Sequence, residues 1–281
     1  IPQHPPDDPP PIPTGNAQLF PLSAATADAL AKRAAACADA FDACDDSLDD
    51  LVYTAGARRT HHPWRLACVA ADRQELATQL RQMTAAAQSF THAPRAPRIA
   101  FVFSGMGPQW PAMGRELLDS EAVFRATIDE FDQLWMPLAG WSIAEELRAP
   151  AETSRIGKQV QISAATNVAL QLALAALLRT WGIEPEIVTG HSVGELPAAV
   201  CAGALSLATA VRITFDRNRI VRLIEGGGRM AALGISASEA ETLLAAYPAA
   251  NIAAFNAPNS VTVTGPPAEV EAVGGAVAGG G

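Results

Sequence analysis

The run Gly190-His191-Ser192-Val193-Gly194-Glu195 constrains this chain more than any other feature. It follows the apolar pair Ile187-Val188 and leads into Leu196-Pro197-Ala198-Ala199-Val200. That order predicts a strand, a sharp turn and a helix. The flanking glycines let the backbone reverse tightly and lift a serine hydroxyl clear of it. Such a serine attacks carbonyl carbon, so the pattern points to acyl transfer through a serine ester. The following helix would aim its first amides at the developing oxyanion, and that of Val193 is one expected donor. The activating histidine of such a site normally comes from later in the chain. All five histidines here (His4, His61, His62, His92 and His191) precede or adjoin Ser192.

Composition excludes several classes of function. With 49% hydrophobic and 17% charged residues, the chain has the makings of a globular core. A net charge of -9 leaves no basic face for nucleic acid. Cys37, Cys44, Cys68 and Cys201 form no C-x-x-C pair, which predicts reduced structural thiols and a cytoplasmic setting. The proline-rich, acidic start has neither the basic residues nor the apolar run of a signal peptide. The most apolar helix, around 168–178, is too short to cross a bilayer and has Asn167 and Gln171 nearby, so it predicts a core helix and no membrane role.

Residues 1–18, rich in proline, predict a stiff linker and an excised piece of a larger polypeptide. A small α/β linker domain is expected over 19–97, with strands at 19–23 and 64–70 and helices at 26–43, 49–55 and 73–83. Ala93-Pro94-Arg95-Ala96-Pro97 punctuates its end. Residues 98–228 then alternate strands and helices, which predicts a mostly parallel sheet covered on both faces. From 229 the order becomes β-α-β-β-α, a ferredoxin-like unit without its last strand. The overall class is α/β.

Four further sites carry chemistry. Ser104-Gly105-Met106-Gly107-Pro108-Gln109 follows a strand and suits close backbone approach, as an oxyanion loop needs. A phosphate loop would require a third glycine or a Walker lysine, and neither follows. Arg217 falls on a helix that Ser206 can cap. At about 100° per residue it lies within the stripe Ala210, Ile213, Thr214, Val221 and Ile224, opposite Arg212, Asp216 and Arg219. A core-facing guanidinium needs an anion, either an acidic residue from elsewhere or a substrate carboxylate. His191 is a poor base for Ser192, because neighbours on a tight turn point apart. It reads as structural, and is counted with the pocket residues. His61 and His62 sit in a basic run without a third metal ligand at suitable spacing. Asn256 ends a strand, where its amide could face the cleft or simply form the turn.

These residues together resemble the acyltransferase domain of a modular type I polyketide synthase, preceded by its ketosynthase-to-acyltransferase linker. The linker portion is similar at Phe20-Pro21-Leu22-Ser23-Ala24 and Asp50-Leu51-Val52-Tyr53-Thr54. The catalytic portion is similar at 103–110, at 190–195 and at Cys201-Ala202-Gly203-Ala204-Leu205-Ser206-Leu207. The resemblance implies an α/β-hydrolase-like core, with Ser192 as nucleophile and the amides of Gln109 and Val193 as the oxyanion hole. Arg217, 25 positions after Ser192, would grip a malonyl carboxylate, and Asn256 would stand near the pocket. It implies no bound cofactor, a malonyl-type acyl-CoA as substrate, and phosphopantetheine brought by an acyl carrier protein. An adjacent ketosynthase domain is the other implied partner. Three departures stand out. The family's catalytic histidine, which lies well beyond the serine, is missing, so the chain alone is expected to turn over poorly and to leave a sheet edge unpartnered. A common pocket glutamine is replaced by Ala164. Val193 leans towards malonyl over methylmalonyl units. A serine esterase and an inactive docking segment are the alternatives.

Overall fold

The computed structural model describes residues 17–85, 90–92, 97–107, 109–223 and 226–279. Most of the expected proline-rich linker, residues 93–96 of the boundary, Pro108, Ile224 and the last two glycines lie outside that set. The chain divides into two compact units, at Arg98 and Ile99.

In the first unit, β1 (Gln18–Ala24), β2 (Trp64–Ala70) and β3 (Thr91–His92) form an antiparallel sheet in that order. β2 alternates strictly, with Leu66, Cys68 and Ala70 inward, as a strand with one wet face must. The helices α1 (Ala27–Ala43), α2 (Leu48–Ala57) and α3 (Arg73–Ala85) complete the unit. Thr26 and Ser47 accept hydrogen bonds from the amides of Ala29 and Asp50, so both helix starts lie where capping places them. The strand β3 has no hydrophobic period and was not expected. It exists by pairing, with His92 opposite Trp64.

The second unit opens with β4 (Ala100–Phe103), followed by α4 (Arg115–Ser120), α5 (Ala122–Ala139), α6 (Ile143–Arg148) and α7 (Val160–Thr180). Next come β5 (Ile187–Gly190), α8 (Glu195–Cys201) and α9 (Leu207–Leu223). β4 and β5 pair in parallel, from Ala100 opposite Ile187 to Phe103 opposite Gly190. A larger parallel sheet, covered on both faces, is not what the described residues form. Phe101, Phe103 and Val188 pack on Ala175, Ala198 and Cys201, while Val102 on the opposite face is 74% exposed. The core lies instead among helices. Phe124, Ile128, Phe131 and Trp135 of α5 meet Ile143 and Leu147 of α6 and the apolar length of α7. At 21 residues, α7 is longer than its most apolar stretch and passes a length-and-composition test for crossing a membrane, yet most of it is buried in this core.

The last part contains β6 (Arg229–Leu233), α10 (Ala237–Leu244), β7 (Asn251–Ala257), β8 (Ser260–Gly265) and α11 (Pro267–Gly279). Its sheet order is β6-β8-β7, antiparallel throughout. A strand inserted between two others joined by a helix is the split arrangement of ferredoxin-like units.

Two buried carboxylates hold α6. Asp132 accepts from the Ser142 hydroxyl and from the amide of Ile143 at 2.8 Å, which caps the helix start. Glu146 accepts from Ser154, from the Arg155 amide and from the Arg155 guanidinium at 2.7 Å. Burial alone would raise the pKa of Glu146. The bonds from Arg155 and Ser154 outweigh it and hold the carboxyl below its ordinary value. A folded pKa below the unfolded one stabilises the protein above the ordinary carboxylate range, and that contribution is lost as pH falls through the depressed value. Replacing Glu146→Gln should therefore cost about 2 kcal/mol near neutrality, a modest figure because Arg155 is partly solvated. The difference in Tm between variant and parent should shrink in acid, as measured by thermal unfolding across a pH series.

Candidate active site

Ser192 stands at the turn the sequence predicts. β5 ends at Gly190, residues Ser192–Gly194 form a single tight turn, and α8 follows. Ser192 has φ +56°, and Ala112 is the only other non-glycine with positive φ among the described residues. That conformation costs about 1 kcal/mol and persists only where neighbours enforce it. Here the His191 amide donates to Phe103 O at 2.9 Å, and the Gly194 amide to His191 O at 2.9 Å. A Cβ on Gly190 would collide with the Gly194 carbonyl, and one on Gly194 with the carbonyl oxygens of Phe103 and Ser104. Glycine at both positions is thus a packing requirement. The Ser192 side chain is exposed, and its hydroxyl has no hydrogen-bond partner among the described residues. Val193 is buried in the helical core, and its amide likewise has no partner among the described residues. α8 has only seven residues, so charge stabilisation here rests on individual amides and not on a long helix's dipole.

The Ser104–Gln109 segment lies against this turn. A Cβ on Gly105 would come within 2.9 Å of both His191 O and His191 Nδ1, and within 3.2 Å of Ser192 Cβ. On the α7 side, Gln171 Nε2 donates to Ser104 O at 3.1 Å, and Asn167 Nδ2 donates to Gly105 O at 3.3 Å. Carbonyl and following amide point opposite ways in a trans peptide, so the Met106 N–H is directed away from Asn167. It makes no hydrogen bond among the described residues. The Gln109 N–H is placed differently from expectation: it donates to Gly107 O at 2.8 Å, while Gln109 Oε1 accepts from the Gly107 amide at 3.1 Å. That bond engages the amide within the loop itself. The His191 ring borders the same loop and lines a cleft of about 770 Å³ walled by Val102, Trp110, Met113 and Leu170.

Arg217 is half-buried on α9, which packs against α5, α7 and α8. Its Nη1 atom is fully buried and has no hydrogen-bond partner, and no carboxylate pairs with the guanidinium among the described residues. The expected stripe needs correction. α9 buries Ala210, Val211, Thr214 and Asn218, whereas Ile213 is 39% exposed. The contact face is rotated by about one residue, and Arg217 lies on its flank. The opposite polar face is as expected, with Arg212 bonded to Asp216 at 2.7 Å. Ser206 caps the helix through the Thr209 amide. Asn256 is exposed on β7 and donates to Thr262 Oγ1 at 2.9 Å, so its amide is engaged within its own hairpin.

The four cysteines are free. Burial pushes the Cys68 thiol up to about 11, and raises those of Cys37 and Cys201 as well, which keeps them protonated and unreactive near neutrality.

A helical unit carrying a strained, exposed serine on a strand-to-helix turn defines a class of acyl-transferring proteins. Residues 100–278 match the acyl transferase domain family, and residues 18–80 match a CurL-like, polyketide synthase C-terminal family. The highly reducing polyketide synthase poxF of Penicillium oxalicum is 42% identical over 233 residues, or 80% of this chain. The phthioceranic/hydroxyphthioceranic acid synthase of Mycobacterium tuberculosis is 37% identical over 261 residues, or 90% of this chain. The chain spans 9% and 12% of those two proteins. Among solved structures, the acyltransferase domain from module 8 of the salinomycin polyketide synthase has a TM-score of 0.81 at 28% identity. The acyl transferase domain of ZmaA has a TM-score of 0.82 at 26% identity. Each match covers 92% of this chain, and 63% and 62% of the respective solved chains. The chain belongs to the acyl transferase domain family, as found in polyketide synthases.

Sequence reasoning noticed Asn167 and Gln171 only as polar residues near an apolar helix. Their spacing held the signal. Ser163, Asn167 and Gln171 recur every fourth residue, are all buried, and so share one face that must find partners. The close approach of the turn to β4 yields a direct test. Gly194→Ala should destabilise by about 3 kcal/mol or more, because backbone must move. Gly107→Ala, with open space around it, should stay within about 0.5 kcal/mol of the parent in the same thermal unfolding assay.

Proposed function

We propose that this domain moves a malonyl-type unit from coenzyme A to the phosphopantetheine thiol of an acyl carrier protein, by way of an ester on Ser192. The observation that carries the reading is the buried, unpartnered Nη1 of Arg217. A guanidinium that cannot lose its charge and has no anion among the described residues is stabilised by one from a ligand, and a distal carboxylate fits it in bidentate fashion. Ser192 Oγ attacks the thioester carbonyl, the C–S bond breaks, and coenzyme A leaves as a thiol that carries, in net balance, the serine proton. The amides of Val193 and Met106, unbonded among the described residues, would serve the tetrahedral oxyanion in place of that of Gln109, which bonds to Gly107 O. The carrier thiol then attacks the serine ester and restores the hydroxyl. We read β4, β5 and the turn as part of a hydrolase-like core, in a cytoplasmic multidomain protein that also holds a ketosynthase. His191 is the one histidine in residues 99–281. With its backbone tied to Phe103, it is a wall of the site and not an oriented base, so turnover by these residues alone should be slow.

The test is Ser192 acylation followed by mass spectrometry with malonyl-CoA and acetyl-CoA in parallel. Arg217→Ala should slow malonylation roughly a hundredfold, the cost of removing one partner of a desolvated charge pair. Acetylation should change by no more than about threefold. Equal losses on both substrates would remove Arg217 as a clamp. Free malonate in place of a loaded carrier protein would favour an esterase.

A further inference from the structure

We infer that Ser163, Asn167 and Gln171 form a positioning ladder on α7 that sets the aim of the Ser104–Gln109 loop at Ser192. The inference rests on the acyl-transfer reading above and adds to it the residues that hold the oxyanion loop. The three side chains are 2%, 5% and 8% exposed, in a helix otherwise apolar enough to pass for a membrane span. Buried amides and hydroxyls in such a place are costly unless bonded. Each is bonded to a part of the structure that touches the loop. Gln171 holds the carbonyl of Ser104, and Asn167 holds that of Gly105. Ser163 Oγ accepts from the Gly157 amide at 2.9 Å. Gly157, at φ +79°, lies so close to the loop's far end that a Cβ there would stand 2.9 Å from Gln109 O. The ladder thus bonds the near end of the segment directly and reaches its far end through the packing of Gly157.

The consequence for chemistry follows from peptide geometry. Two successive carbonyls drawn towards α7 turn the amides of Gly105 and Met106 the other way. Gly105 is the residue whose Cα lies against His191 and Ser192. An oxyanion donor is effective only when its direction is set before the charge develops. The ladder does this from the side remote from substrate, so these are positioning residues, and they touch neither thioester nor carboxylate.

The test uses the whole chain with Gln171→Met, Asn167→Leu and the double variant, which delete donors while keeping bulk. Amide hydrogen exchange should rise about tenfold in the 103–109 peptide of the double variant, with that of α5 unchanged. In the acylation assay, the maximal rate of Ser192 malonylation should fall roughly tenfold in each single variant and about a hundredfold in the double. The half-saturating malonyl-CoA concentration and the preference for malonyl over acetyl should not move. Unchanged exchange in the loop, or an unchanged maximal rate, overturns the ladder. So does a loss spread equally over rate, affinity and Tm, which would mark the three side chains as core packing. Absence of malonylation in the parent chain overturns the malonyl reading instead, and the exchange result then decides alone whether the ladder holds the loop.

Discussion

Gly194 brings the turn after β5 into contact with the carbonyl oxygens of Phe103 and Ser104. From that one backbone approach the rest of the site follows. It presses the turn onto the end of β4, leaves Ser192 at positive φ with its hydroxyl outward, and sets Gly105 against Ser192 from the other side. Two strands of four residues each would be a poor scaffold by themselves. They serve here because the strain at Ser192 is opposed on every side by main-chain contacts, and those change little with side-chain motion.

Polar groups inside an apolar helix organise the second layer. α7 could have been a uniformly greasy core element, and its composition nearly makes it one. The ladder of Ser163, Asn167 and Gln171 gives it a second task, which is to turn loop carbonyls inward. Arg217 is the opposite case: its buried Nη1 has no partner among the described residues. A satisfied donor on α7 holds the structure, and the unsatisfied one on α9 is what the proposed carboxylate clamp rests on. Asn256 differs again, since its amide is already bonded to Thr262 within its own hairpin.

Much of this was legible in one dimension. The strand-turn-helix around Ser192 could be read because only glycine tolerates the contacts at 190 and 194. Helix caps at Thr26, Ser47 and Ser206 could be read because a hydroxyl beside a helix start has a local partner. The face of α9 was misread by about one residue, because Ile213 counts as apolar in any sequence pattern whether or not a neighbour covers it. The hydrogen bond from the Gln109 amide to Gly107 O is likewise invisible in the motif. Which way the Gly105 and Met106 amides point depends on hydrogen bonds from α7 to the Ser104 and Gly105 carbonyls, some sixty residues away in sequence, and no motif encodes that.

The sequence by itself determined the alternation of elements, the turn that carries Ser192, and a charged Arg217 on an amphipathic helix. These depend on local sterics and on the charge a residue always carries. The tertiary structure alone decided that Arg217 Nη1 finds no partner among the described residues, that the Gln109 amide is closed into its loop, and that α7 directs the Met106 amide. Each of those is settled by which groups meet across long stretches of chain, where satisfaction of buried donors, and not local preference, selects the arrangement.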